Sequence, residues 1–270
     1  MAKGAHLIDS PWDVATKDCA FFLDFDGTLA DIAPQPDQVS VEPELLQTLQ
    51  RLQTECGGAI AIISGRAIAT IDHYLHPLKA AIAGIHGAEF RLADGELERT
   101  PVSEQELTRA KEAARGFATQ HPGVLFEDKA ISFSLHFRQA DQFEPQVEAF
   151  MAKLVPAQLS SYELQRGKKV IEAKPLGCNK GEAIRKFMAL PPFAGKRPVY
   201  AGDDVTDEDG FAVVNALGGL SVKIGEGDTQ ALLRLKSPTA LKSWLQSLLK
   251  PDVAASSSRI TTLQGESAHE

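Results

Sequence analysis

Hydrophobic positions along the chain fall into two patterns: short solid apolar runs, and longer stretches in which apolar residues recur every three or four positions. Residues 20–23, 59–63 and 80–83 are solid runs, the pattern of strands buried on both faces of a parallel sheet. After the first run, Glu42-Pro43-Glu44 opens a predicted helix to about Cys56, with Leu45, Leu46, Leu49 and Leu52 at helical spacing and Gly57-Gly58 at its end. A second helix is predicted over 67–74. Strand and helix alternate, which implies a parallel sheet with right-handed crossovers. The pattern resumes late in the chain, with a helix opened by Asn179-Lys180-Gly181 and running to 190. Strands follow at 198–201 and 220–224, then a largely helical stretch over 229–249. Residues 89–92 and 97–100 read as a hairpin across Asp94-Gly95.

From about Ser103 the character changes. Residues 103–119 form a charged helix with a Ser103/Glu106 capping box. Strands are predicted at 124–128 and 130–138, the second alternating Ile131, Phe133, Leu135 and Phe137 on one face. A helix over 142–154 and strands at 159–165 and 169–173, turning at Arg166-Gly167, complete the order α-β-β-α-β-β. Such a sheet packs one face on two helices and leaves the other open. The fold class is therefore α/β: a doubly wound core with a parallel sheet, and a smaller α+β cap inserted in it. The expected division is a loose lead-in over 1–17, core over 18–102 with a loop at 31–40, cap over 103–174, core again over 175–250, and a disordered tail over 251–270 rich in Ser, Thr and Ala. An open cap face turned to the core would close a site and select its substrate.

Composition narrows the partners. The chain has 270 residues, 43% of them apolar, which supports one large domain or two modest ones. Its net charge of -8, without a basic block, argues against nucleic acid. No apolar run reaches membrane-spanning length and the N-terminus lacks the core of a signal peptide. Cys19, Cys56 and Cys178 are far apart and odd in number, the usage of a reduced, cytoplasmic protein. A monomer with a small-molecule substrate is the expectation.

The candidate chemistry sits at strand ends. Asp24 and Asp26 follow the first run at i, i+2 spacing, so an extended backbone points both the same way. Two close carboxylates need a proton or a cation between them. That suits a metal-assisted phosphoryl site, while a calcium loop or a polar strand end is the plain alternative; the calcium pattern lacks its third ligand and later glycine. Ser64, after the second run, falls at the same sheet edge, where a hydroxyl and free N–H groups make an anion cradle or simply a helix cap. His86 follows the third. Glu127 and Lys129, at i, i+2, and Glu172 lie on cap strands; they are solvated charges or partners for a polyhydroxylated substrate. Lys180 adds charge to an already positive helix start, which is locally unfavourable and makes it a candidate for binding an anion. Asp203, Asp204, Asp207 and Glu208 crowd the end of another strand, as a solvated turn or a metal loop.

FLDFDGTLADI resembles the first motif of the haloacid dehalogenase phosphatases, and its extension through Asp31 and Ile32 is similar to the trehalose-6-phosphate phosphatases among them. Ser64-Gly65-Arg66, GIHGAE, the NKG lysine and GDDVTDE resemble the remaining motifs in order, and FEDKAISFSLHFR and VIEAKPLGCNKG resemble the family's cap segments. The resemblance spans about 18–248. It implies Mg²⁺, with Asp24 as nucleophile and ligand, Asp26 as proton shuttle and main-chain ligand, and Asp203 as direct ligand. Asp204 and Asp207 would stand behind Asp203 or act through water. It also implies Ser64 and Lys180 on the phosphoryl group, and Glu127, Lys129 and Glu172 on the sugar. Thr28, Gly65, Arg66, His86, Arg138 and Lys174 join them as substrate residues. Lys174 departs from the family's frequent arginine and rivals Lys180 for the phosphoryl contact. The implied activity is release of phosphate from trehalose 6-phosphate, the last step of trehalose biosynthesis. Other readings are a sucrose or hexose phosphatase of the same fold, a phosphomutase, a sugar-phosphate sensor or a phospho-accepting signalling domain.

Overall fold

The computed structural model describes residues 6–7, 15–32 and 38–249. In chain order its elements are β1 (His6–Leu7), β2 (Cys19–Leu23), α1 (Pro43–Glu55), β3 (Ile60–Ile63), α2 (Ile68–Leu75), β4 (Ala81–Gly84), β5 (Glu89–Arg91), β6 (Glu98–Arg99), α3 (Glu104–Gln120), β7 (Leu125–Asp128) and β8 (Phe133–His136). These are followed by α4 (Glu144–Gln158), β9 (Tyr162–Gly167), β10 (Val170–Pro175), α5 (Lys180–Met188), β11 (Arg197–Gly202), α6 (Glu208–Ala216), β12 (Leu220–Ile224), β13 (Leu233–Leu235) and α7 (Pro238–Leu248).

The nine-stranded core sheet runs β1-β13-β12-β11-β2-β3-β4-β5-β6. It is parallel from β1 to β4, and β5 and β6 add an antiparallel edge. β2 lies near the middle, every residue buried, as its solid apolar run requires when helices cover both faces. α1 packs on α7 and α5 on α6. Phe22 stacks on Phe193 at 5.5 Å and Phe90 meets Phe187 at 4.2 Å, filling the space between sheet and α5. The strand order reverses at β2, and ligands of such sheets bind outside the carboxyl ends at that switch point.

The second sheet, β7-β8-β10-β9, is antiparallel throughout. One face buries Phe133, Leu135, Ile171 and Ala173 with Val147 and Met151 of α4 and Ala110 of α3. The other carries three transverse rows. Strand register aligns Leu125, His136, Val170 and Gly167 in one row, and Glu127, Ser134, Glu172 and Gln165 in the next. Lys174 pairs with Glu163 in the third.

Several boundaries differ from expectation. The stretch 229–249 is not helical throughout: Leu233 and Leu235 alternate into β13, and the helix begins only where the Ser237 hydroxyl accepts from Ala240 N–H, with Pro238 at its first turn. Two residues of the expected lead-in, His6–Leu7, pair with β13. β8 starts at Phe133 because Ala130 turns with φ +61°, which ends the preceding extended run. α6 is not expected from the sequence, since the acids at its start obscure its helical period. The Ser103 hydroxyl accepts from Glu106 N–H, as a helix cap should. Residues 33–37 of the expected loop at 31–40, and the tail 251–270, lie outside the described residues. No helix among the described residues is long and apolar enough to cross a membrane.

Candidate active site

Four neighbouring strands, β11, β2, β3 and β4, end at one edge of the core sheet, and the turn after each supplies the site. Asp24 extends β2, its N–H donating to Ala201 O at 2.9 Å. The chain then turns at Gly27, whose φ of +76° suits glycine, and a Cβ there would fall inside the Asp203 carboxylate. That glycine lets the loop after β2 and the loop after β11 touch. After β3 and β4, His86 N–H donates to Ser64 O and Ile85 N–H to Arg66 O, each at 3.0 Å, which stitches those two loops together. Gly65 is a second forced position: a Cβ would stand 2.8 Å from His86 Nε2.

Lys180, buried at the start of α5, donates from Nζ to Asp24 Oδ1 at 2.7 Å and to Asp207 Oδ1 at 2.5 Å. Burial disfavours its charge, but those two carboxylates hold its pKa above the ordinary lysine value. Asp207 is completely committed. Its Oδ1 also accepts from Tyr200 Oη, and its Oδ2 accepts from the N–H groups of Asp203 and Asp204 at 2.9 and 2.8 Å. Burial opposes its charge as well, yet Lys180, Tyr200 and the two amides keep its pKa below the usual value. With two donors on each oxygen it has no acceptor site left. Asp204 accepts in return from Asp207 N–H, closing a capping box around the acidic turn, and Lys223 Nζ donates to Asp203 O from β12.

Carboxylate oxygens of Asp24, Asp203 and Asp207 lie within 4.8 Å of one another. Among the described residues Asp24 Oδ2 and the Asp203 carboxylate have no hydrogen-bond partner. Burial, with Asp207 and Asp203 close by, pushes the Asp24 carboxyl well up against the pull of Lys180. Burial and Asp207 raise Asp203 to about 7. Two raised carboxyls with open oxygens, beside a third that is saturated, fit a hard divalent cation such as Mg²⁺ held by Asp24 and Asp203.

Asp26 lines the same site with a different partner. Arg66 grips it bidentately, Nε to Oδ2 and Nη2 to Oδ1, both at 2.7 Å. The guanidinium lies over Phe25 and Tyr74 at 5.7 and 5.4 Å.

A cavity of about 200 Å³ opens between this edge and the cap, with Asp24, Asp26, Arg66, Lys180 and Asp203 on one wall and Glu127, Lys129 and Glu172 on the other. Lys129 Nζ donates to Glu172 Oε2 at 2.7 Å, Ser132 Oγ donates to Glu172 Oε1 at 2.8 Å, and His86 Nε2 reaches Glu172 Oε2 at 3.5 Å across the cleft. Burial works against charge on Glu172, but Lys129 and His86 keep its pKa well below the ordinary range. Burial lowers His86 despite Glu172. Glu127 Oε2 bonds His136 Nε2 at 2.7 Å and sits 3.7 Å from Lys129 Nζ. This wall is a layer of fixed charges and hydrogen-bonding groups.

Comparison with known proteins gives this geometry its relatives. Residues 22–239 match the family model described as trehalose-phosphatase. The chain belongs to that family. It is 45% identical to trehalose-6-phosphate phosphatase of Escherichia coli K12 over 227 residues, 84% of this chain and 85% of that one. A solved structure titled as a trehalose-6-phosphate phosphatase related protein matches at 28% identity and TM-score 0.73, over 85% of this chain and 96% of that one. The C-terminal domain of the C. albicans trehalose-6-phosphate phosphatase shares the fold at 24% identity and TM-score 0.76, over 86% and 92% of the two chains. Solved haloacid dehalogenase-type hydrolases share the fold.

Within this structure the expected site residues divide. Asp24, Asp26, Gly65, Arg66, His86, Glu127, Lys129, Arg138, Glu172, Lys180, Asp203 and Asp204 all line the cavity. Thr28, Ser64, Lys174 and Asp207 do not. Thr28 is fully buried with Oγ1 unpartnered. Ser64 Oγ, behind the wall, accepts from Arg66 N–H at 3.1 Å. Lys174 is one row too far along β10: its Nζ donates to Glu163 Oε1 at 2.7 Å and to Cys178 O. Lys180 therefore holds the position beside Asp24, and Asp207 serves as anchor of the acidic turn. The sequence pattern does not single out Tyr200, Lys223, Ser132 or His136. Tyr200 and Lys223 are polar residues inside otherwise apolar strand runs, which was the available signal. Ser132 and His136 alternate with the apolar face of β8 and carried a weaker one.

Proposed function

We propose that the protein hydrolyses trehalose 6-phosphate to trehalose and phosphate, with Mg²⁺, through a phosphorylated Asp24. The observation that carries this reading is the pairing of open Asp24 and Asp203 oxygens and a buried Lys180 with a cap wall built from Glu127, Lys129 and Glu172. Asp24 attacks phosphorus as its bond to the sugar oxygen breaks, and Asp26 gives that oxygen a proton. Water then attacks the aspartyl phosphate, Asp26 takes its proton, and phosphate leaves with Asp24 restored. Mg²⁺ held by Asp24, Asp203 and the Asp26 carbonyl would neutralise charge on the phosphoryl oxygens. Lys180 adds a fixed positive charge beside the nucleophile. Asp26 must leave the Arg66 fork to reach the leaving oxygen, and an incoming phosphate is the anion able to take the guanidinium over. The cap excludes bulk water and meets the sugar hydroxyls. The reduced thiols of Cys19, Cys56 and Cys178 support a cytoplasmic setting.

Phosphate release from trehalose 6-phosphate, glucose 6-phosphate and sucrose 6-phosphate, with Mg²⁺ and with a chelator, tests the proposal. Metal-dependent release with the trehalose ester strongly preferred is expected. Equal rates on all three esters, or chelator-resistant turnover, overturn it. Asp24→Asn should lose several decades in rate, roughly 4 kcal/mol or more in barrier; near-normal turnover removes Asp24 as nucleophile.

A further inference from the structure

Resting on that reading, we propose that Gln165 is a further binding residue for the sugar, and that it separates a disaccharide phosphate from a monosaccharide phosphate. The register of the cap sheet makes the case. Glu127 of β7, Ser134 of β8, Glu172 of β10 and Gln165 of β9 are directly opposed in one row. Residues so opposed in antiparallel strands project to the same face. Strands lie about 4.8 Å apart, so the row crosses roughly 14 Å from Glu127 to Gln165.

The two halves of that row differ in commitment. Glu172 is held by Lys129, Ser132 and His86, and Glu127 by His136. Gln165 lines the same cavity, but its amide makes one long bond, Nε2 to Arg166 O at 3.4 Å, and its Oε1 has no partner among the described residues. A neutral amide offers both donors and an acceptor. It can therefore bind a hydroxyl without the cost of burying a new charge. Its neighbourhood is also distinct. Glu127 lies toward Arg66, whereas β9 runs against the acidic turn, so that a Cβ at Gly167 would stand 3.5 Å from Asp204 Oδ2. A substrate that reaches both ends of the row must extend beyond one ring. A single hexose anchored by its phosphate at Asp24 meets only part of it.

The test uses Gln165→Met, which keeps the length and volume of the side chain and removes the amide, with Gln165→Ala as a second variant. The readout is the ratio of kcat/KM for trehalose 6-phosphate over glucose 6-phosphate. One or two lost hydrogen bonds should lower that ratio about three- to tenfold, carried by KM for the disaccharide ester. A ratio unchanged in both variants, or a loss carried by kcat and equal for both esters, overturns the role of Gln165. A wild-type protein without preference for the trehalose ester would instead overturn the proposed function. The two failures are thus distinguishable.

Discussion

Asp207→Asn separates an anchor from a metal ligand. In the native site each Asp207 oxygen accepts from two donors: Lys180 and Tyr200 on one side, the Asp203 and Asp204 amides on the other. Asparagine can satisfy only one side. With its nitrogen turned to the backbone, two buried N–H groups lose their acceptor, at about 1–3 kcal/mol each. With the nitrogen turned to Lys180, an ammonium and a hydroxyl face another donor. Either way Lys180 loses one of its two counter-charges, and removing one partner of a buried pair costs roughly 3–5 kcal/mol. These terms overlap, so a net loss of about 4 kcal/mol is expected from a total of about 5–15. For a chain of this size that is roughly 8–16 °C in Tm. Thermal unfolding followed by circular dichroism in chelator reads it directly, because no metal contributes there. A Tm within about 2 °C of wild type in chelator, with Mg²⁺ binding alone abolished, would refute the reasoning and make Asp207 a ligand.

The remaining predictions concern the metal site and the proton shuttle. Burial and Asp207 raise Asp203 to about 7 against an ordinary 3.8, so between those values the folded protein keeps a proton at this group that the unfolded chain has lost. The contribution of Asp203 to metal-free stability should fall as pH rises through that window, and Mg²⁺ must displace a proton from this carboxyl below about 7. Mg²⁺ affinity, measured by calorimetry, should therefore drop by up to about tenfold per pH unit on acidification below about 7; a flat profile contradicts the shift. Gly27→Ala strains a left-handed backbone by about 1–2 kcal/mol and pushes on Asp203. A folded protein with Mg²⁺ affinity reduced about tenfold or more is expected from calorimetry, and unchanged affinity would show that the two loops do not touch. Arg66→Ala releases both oxygens of Asp26 and should cost about 10- to 100-fold in kcat/KM. Arg66→Lys should restore little, since an ammonium cannot fork onto both oxygens; full rescue by lysine would reduce the fork to a simple charge.

Much of the fold is legible in the sequence because burial on both faces writes itself as unbroken apolar runs. β2, β3 and β4 announce themselves this way, and Asp24, Ser64 and His86 follow at their carboxyl ends. β13 was hidden because Leu233 and Leu235 alternate over only three residues, too few to outweigh the helical pattern beyond Ser237. The open face of the cap was legible from alternation in β8, which set Phe133 and Leu135 opposite its polar residues. Lys174 shows the limit: it has the residue type and the neighbourhood of a phosphate ligand, yet register puts it in a row with Glu163.

The sequence by itself determined which residues could do chemistry and at which strand ends they stand, since periodicity and local turn signals act over a few positions. Only the tertiary structure decided which of those carboxylates remain open. Asp203 and Asp207 are four residues apart in one acidic turn, indistinguishable by type. One keeps free oxygens at the cavity, and the other is saturated by Lys180, Tyr200 and two backbone amides. Hydrogen-bond capacity is spent between groups far apart along the chain, so it is settled only when the sheet brings them together.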